Sequence, residues 1–346
     1  MIRVMALMVI AIIAIHMAIS SHYMAIVLSN STSFIVWITP WGYYVDPVSI
    51  PFYLVVGVVI AYDCDYGINA SFLREWFIYS IKLIGKLRSM EREVFINLFC
   101  EKYIPTWIWR GYLSDVKIHR EILNGLKNVI GSGNGTYIGF SELTTCVNDT
   151  KCRIKLVGIY KQLGREFPGS KLYYYGSGGD YVEAIQDLYW RAGLFLAGID
   201  IWDLGYSNGG IYVKEYLYNK LVSLAYRIGW DRVIVGEMGL RVNDEQAYVE
   251  PWNKDRPIVY NRTITPIYYD QLLTDILVNK NARPAYIGIW SWNDGVYSIM
   301  NREDIIAILN KFSSQLYLQI YIANEYDNRN KLFSLSLVFL STLARF

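Results

Sequence analysis

The sequence predicts a (β/α)8 barrel, and three observations carry that expectation. Past residue 33, short runs of apolar residues, many of them β-branched or aromatic, alternate with longer segments of helical periodicity. Eight such units share about 280 residues, a length that suits a closed barrel of parallel strands. No Gly-rich phosphate loop follows the first strand, which weakens the alternative of an open, doubly wound sheet.

The expected strands run in order along the chain. They are FIVWITPW (34–41), LVVGVVIAYD (54–63), EVFINLFC (93–100), TYIGFSE (136–142), KLYYYG (171–176), AGIDIWD (197–203), RVIVGE (232–237) and AYIGIWSW (285–292). Their near-continuous apolar character is what a parallel strand covered on both faces requires. Helical periodicity fits 69–89, 114–130, 150–166, 181–195, 209–228, 265–280 and 302–314. The first link is short and carries Pro47 and Pro51, so no full helix is expected there. GSGNG (131–135) precedes a strand and reads as a turn, whereas GSGG (176–179) follows one and reads as a flexible rim loop.

The ends of the chain read differently. Residues 1–30 open with Arg3 and an apolar run from Val4 to about Ile19, the pattern of a secretory signal or, uncleaved, of a membrane anchor over residues 4–28. The barrel is assigned to 31–314 and a C-terminal extension to 315–346. Within the latter, KLFSLSLVFLSTLARF (331–346) is apolar but short for a span. Export is also consistent with N-x-Ser/Thr sequons at Asn30, Asn69, Asn134, Asn148 and Asn261. Of the four cysteines, CVNDTKC makes Cys146–Cys152 the natural first bridge and leaves Cys64 with Cys100.

Composition excludes some function classes. With 33 Lys and Arg against 31 Asp and Glu, the formal net charge of +2 gives no nucleic-acid signature. The three histidines are His16, His22 and His119, too few and too scattered for a histidine-rich metal site, and no cofactor is expected. The 30 tyrosines and 11 tryptophans supply flat faces with polar tips, which suit stacking on sugar rings.

In a barrel, side chains at the C-terminal strand ends meet the ligand. The fourth strand ends on Glu142, the seventh on Glu237, the sixth on Asp200 and Asp203, and Asp63 and Asp65 follow the second. A charge at the end of an apolar strand is unfavourable unless paired, so several on one rim point to chemistry. Trp37, Trp41, Trp107, Trp109, Trp202, Trp290 and Trp292 fall at or near the same ends.

This arrangement resembles the clan A glycoside hydrolases, the barrel group of many cellulases, β-mannanases and β-galactosidases. The likeness rests on a Glu closing the fourth strand, a second Glu inside GEMG (236–239), and Trp290 at the end of the eighth strand. It implies a retaining hydrolase of β-linked poly- or oligosaccharides, with Glu142 as acid/base and Glu237 as nucleophile. Ser141, Tyr206, Trp41, Asp200, Trp202, Asp203, Trp290 and Trp292 are the expected substrate contacts, with Tyr206 also bonding Glu237. Two positions depart from the clan: Ser141 stands where Asn is usual before the acid/base, and Leu143 where Pro is common after it. AGIDIWDLGY is also similar to the Gly-Ile-Asp-Ile-Asp-Trp-Glu strand of family 18 chitinases, but no Glu closes the run and it falls on the sixth strand. A non-catalytic carbohydrate-binding or surface glycoprotein on the same scaffold is the competing expectation.

Overall fold

A computed structural model describes residues 32–62, 71–100, 117–207, 209–244, 247–248 and 259–313. The barrel strands are β1 (Ser33–Ile38), β2 (Val55–Tyr62), β3 (Val94–Cys100), β4 (Thr136–Ser141), β5 (Lys171–Gly176), β6 (Leu196–Ile201), β9 (Val233–Met238) and β12 (Tyr286–Ile289). Two small antiparallel pairs lie outside the barrel, β7 (Leu204–Ser207) with β8 (Gly210–Val213) and β10 (Ala247–Tyr248) with β11 (Val259–Tyr260). The helices are α1 (Ser71–Ser89), α2 (Lys117–Ile130), α3 (Thr144–Asn148), α4 (Thr150–Glu166), α5 (Val182–Ala192), α6 (Glu215–Ile228), α7 (Thr265–Thr274) and α8 (Glu303–Phe312).

All eight barrel strands pair in parallel, in the order β1, β12, β9, β6, β5, β4, β3, β2, and β2 closes the ring on β1 with Ile35 beside Val55. The sheet is therefore closed, and the doubly wound alternative is excluded. Strands β4, β6 and β9 are buried at every residue, because the barrel interior covers one face and the helices the other. Expected and observed strand bounds agree within a residue or two, except at the C-terminal ends of β1 and β12, which stop three residues short of Trp41 and Trp292.

Aromatic rings fill the interior. Trp37, Phe95, Tyr137, Tyr173 and Tyr175 pack with Ile35, Val59, Leu196 and Ile234, and Phe95 stacks on Tyr137 with centroids 4.1 Å apart. Rings this large need small neighbours. A Cβ on Gly57 would lie 2.2 Å from the Trp37 ring, so β2 carries no side chain there. Many of the tyrosines thus build the core rather than a sugar-binding rim.

The elements β7, β10, β11 and α3 are not among those expected from the sequence, and one expected helix is misassigned at its start. A five-residue helix, α3, starts two residues after Glu142, and the segment read as a helix over 209–228 begins with β8, which pairs with β7 in a hairpin. Asn208-Gly209, between paired Ser207 and Gly210, is the dipeptide that favours a tight hairpin over a helix start. The link between β1 and β2 is a single 3-10 turn, Pro47–Ser49, capped by Asp46.

The Cys146–Cys152 disulfide is formed and ties α3 to the first turn of α4. The Cys64–Cys100 pairing, Trp107, Trp109, Asn30, Asn69, the apolar segment 4–28 and the extension 315–346 lie outside the described residues. Thr32–Leu309 forms one compact unit, which holds the barrel. Among the described residues, no helix is long and apolar enough to cross a membrane.

Candidate active site

Three acids meet at the C-terminal end of the barrel. Glu142, Asp200 and Glu237 each offer a carboxylate oxygen within 4.8 Å of the other two. They come from the ends of β4, β6 and β9, three strands that share the same side of the ring. Glu142 is half-buried, Glu237 is 6% exposed and Asp200 is 2% exposed.

Each acid is held differently. Glu142 is the first residue beyond β4 and has φ 55°, in the left-handed region that costs a non-glycine residue about 1–2 kcal/mol. Its N–H donates to the Tyr175 carbonyl at 3.0 Å, and α3 begins two residues later, so the turn is fixed from both sides. Glu237 accepts from the Tyr175 hydroxyl at 2.9 Å and from the Trp202 side chain. Tyr175 itself accepts from Asn97 Nδ2 at 2.7 Å, and the same nitrogen donates to Ser141 Oγ at 2.9 Å. Asn97 on β3 and Tyr175 on β5 thus form a buried polar brace beneath the acids. Neither stood out in the sequence, because each sits inside an apolar strand.

The two glycines around Glu237 now have a reason. A Cβ on Gly236 would lie 2.1 Å from the Tyr175 ring and 2.7 Å from Asp200 Oδ1, so only glycine lets both groups reach the site. A Cβ on Gly239 would fall 2.2 Å from the Trp290 carbonyl oxygen, which packs against the end of β9.

Burial pushes all three carboxyls above their ordinary range, Asp200 and Glu237 well above it. Neighbouring negative charge adds to the rise for Asp200 and Glu237. Among the described residues, no Arg or Lys is one of the groups that act on these three acids, so charge is limited by retained protons. Two donors point at Glu237, which makes it the place where negative charge is best met. Asp200 has the opposite surroundings: ionised, neither of its oxygens has a partner, whereas protonated it donates to Glu142. A fourth acid stands behind them. Asp180 is fully buried, accepts from Tyr174 at 2.7 Å, and is pushed up to about 6 by burial. Among the described residues this is the one place where three acidic, histidine or cysteine side chains converge, and all three are carboxylates. That set lacks the nitrogen and sulfur donors of zinc-type centres.

The remaining expected contacts divide. Trp202 joins the site through Glu237, and Trp290 lies beside Trp41, with ring centroids 5.9 Å apart. Trp41 is 44% exposed and also meets Phe99 edge-on, while the Trp290 indole donates to Asp294 at 3.1 Å. Four expectations need correction. Trp292 is 1% exposed and buried in the core, with no face left for a ligand. Ser141 is 3% exposed and serves the Asn97 brace. Tyr206 lies on the hairpin against Tyr268, and Tyr175 makes the bond to Glu237 that was expected of it. Asp203 turns to Lys214 and Tyr216 at the hairpin base. A separate polar recess of about 540 Å³ lies between the hairpin and α7, lined by Ser207, Tyr212, Gln271 and Asp275, and contains none of the acids.

No family model and no curated protein matches the sequence. Solved structures do. The fold is similar to that of a chitinase from Bacteroides thetaiotaomicron, with a TM-score of 0.51 and 10% identity over 82% of this chain and 96% of that one. A class V chitinase from Pseudomonas fluorescens Pf-5 gives 0.48 and 10% over 82% and 99%. The multi-modular cell-surface chitinase ChiW of Paenibacillus gives 0.48 and 10%, and the chain spans about a third of its length, 33%. At such identity the likeness is one of fold. The chain shares the barrel fold of the Bacteroides chitinase.

Proposed function

We propose that the protein is a retaining glycoside hydrolase of β-linked poly- or oligosaccharides, with Glu142 as acid/base and Glu237 as nucleophile. One observation carries this reading: carboxylates from β4 and β9 approach within 4.8 Å at the mouth of the barrel. Retaining glycosidases hold their two carboxyls about 5–5.5 Å apart, whereas inverting ones leave roughly 6.5–9.5 Å for a water.

The chemistry follows from the surroundings of each acid. Glu142 is the more accessible and protonates the glycosidic oxygen as its bond to the anomeric carbon breaks. Glu237, steadied by Tyr175 and Trp202, attacks that carbon and forms the glycosyl ester. Water then attacks the same carbon, gives its proton to Glu142, and Glu237 leaves as the carboxylate. Trp41 and Trp290 offer ring faces on the rim for sugars on either side of the bond. The run containing Asp200 lies on the sixth barrel strand, away from the fourth-strand position of the family 18 motif it resembles.

Export is part of the same proposal. The Cys146–Cys152 disulfide fits an oxidising compartment, and Asn134 and Asn261 are exposed sequons. The amino-terminal segment would supply the signal or anchor.

Hydrolysis assays on β-mannan, β-glucan, xylan and aryl β-glycosides test the assignment. E237Q is expected to lose at least about a thousandfold in kcat with its circular dichroism unchanged. E142Q should lose far more on polysaccharide than on aryl glycosides with good leaving groups, which need little protonation. Wild-type rates from E237Q would overturn the role of Glu237.

A further inference from the structure

We infer that Asp200 is a positioning residue that holds the proton shared by the acid cluster and passes it to Glu142. The inference deepens the glycosidase reading and rests on it. Asp200 is 2% exposed, too buried to touch a sugar ring, so its expected role as a substrate contact does not account for it. Its two oxygens have no donor when ionised, yet one of them lies within 4.8 Å of a carboxylate oxygen of each glutamate. Beside an ionised Glu237, and with no Arg or Lys among the described residues acting on it, a carboxyl so placed is stable only when it carries a proton; that restriction lifts while Glu237 is held as the neutral glycosyl ester.

The groups facing it agree. Glu142 lies beyond β4, Glu237 on β9, Asp180 beyond β5, and the Tyr174 and Tyr175 hydroxyls belong to β5. The tyrosine hydroxyls are committed elsewhere, Tyr174 to Asp180 and Tyr175 to Glu237. Glu142 is thus the acceptor open to an Asp200 proton, and it is also the most accessible acid. In the forward step the Asp200 proton moves to Glu142 as the Glu142 proton moves to the leaving oxygen. In the second step the proton taken from water by Glu142 returns to Asp200. One proton enters and one leaves the pair per turnover, so charge and atoms balance.

Infrared spectroscopy on the full chain tests where the proton lies without needing a substrate. A protonated-carboxyl band should persist at neutral pH, shift on ¹³C-aspartate labelling, and disappear in D200N. In E142Q the same band should remain but move in frequency, because its acceptor has changed. Kinetically, protonated Asp200 already donates to Glu142 in the wild type, and the Asn amide of D200N keeps that bond but has no proton to pass on when Glu142 ionises. The alkaline limb of kcat/KM should therefore move to lower pH by about one unit or more, while KM stays within about twofold. The absence of any aspartate-sensitive carboxyl band at neutral pH, or its survival in D200N, overturns the inference, as does an unchanged pH profile at wild-type rate. An aspartate band that behaves as expected in a chain that hydrolyses none of the glycosides would place the failure in the glycosidase reading, with the proton still on Asp200.

Discussion

At Gly236 the barrel wall is thinnest where the chemistry needs room. The Tyr175 ring and the Asp200 carboxyl both occupy space that a methyl group would fill, so G236A must displace one of them. Forcing extra volume into a packed site costs about 1–3 kcal/mol. We expect G236A to lose stability in that range, measured by denaturant unfolding, and to lose at least about tenfold in hydrolysis rate as the Tyr175–Glu237 bond is broken. A variant with wild-type stability and rate would show that the close approach is unimportant. Glu142 and Glu237 were legible in the sequence because a charge that closes an apolar run stands out. Tyr175 and Asn97 were not, since nothing in KLYYYG or EVFINLFC tells which polar atom turns inward to meet an acid from another strand. Trp292 misled for the related reason that a tryptophan near a strand end has two faces to choose between, core and rim.

Strand existence and order followed from the apolar runs, because a strand buried on both faces has no polar positions to blur its bounds. The hairpin β7–β8 was misread because its apolar and polar residues also fit a helix, although Asn208-Gly209 carried the turn signal. The α3–α4 corner shows what a short element contributes. Glu142 holds its left-handed backbone at the entrance to α3, α3 is bonded to α4 through Cys146–Cys152, and Asn148 bonds the Gly179 carbonyl and the Tyr181 N–H across the rim. With only 6 residues of sequence separation, this bridge restrains the unfolded chain modestly, by about 2 kcal/mol. The double variant C146A/C152A should lose about that much in unfolding free energy. It should lose more in activity than such a small destabilisation explains, since the Glu142 turn is freed. Thermal unfolding and hydrolysis measured together check this; equal, minor effects on both would confine the bridge to a staple.

Across the whole molecule, the acid cluster couples stability to pH. Asp180 titrates at about 6 in the folded chain against an ordinary 3.8, so between those values the folded state binds more protons than the unfolded one. Unfolding free energy should therefore fall as pH rises from about 4 to about 6, by about 3 kcal/mol at most from this group, with the raised Glu142, Asp200 and Glu237 carrying the fall on to higher pH. Asp304, held below its usual range by Arg302, contributes the opposite slope only at lower pH. D180N should reduce the slope in this window and leave the part due to the other three acids. Guanidinium unfolding across this range reads the slope, and stability that rises instead would contradict the burial of these acids. The barrel itself was legible from sequence because alternation of strand and helix leaves few other closed solutions. Its chemistry was only partly legible, since three acids far apart in sequence become one site only after the ring has closed.

The most direct measurement is mass spectrometry of the intact protein and its peptides after reaction with 2-deoxy-2-fluoro aryl β-glycosides, which slow release of a glycosyl ester. The account predicts one added sugar, on the peptide that carries Glu237, and none in E237Q. A label on Glu142, or turnover of the parent glycosides with no label at all, would contradict it.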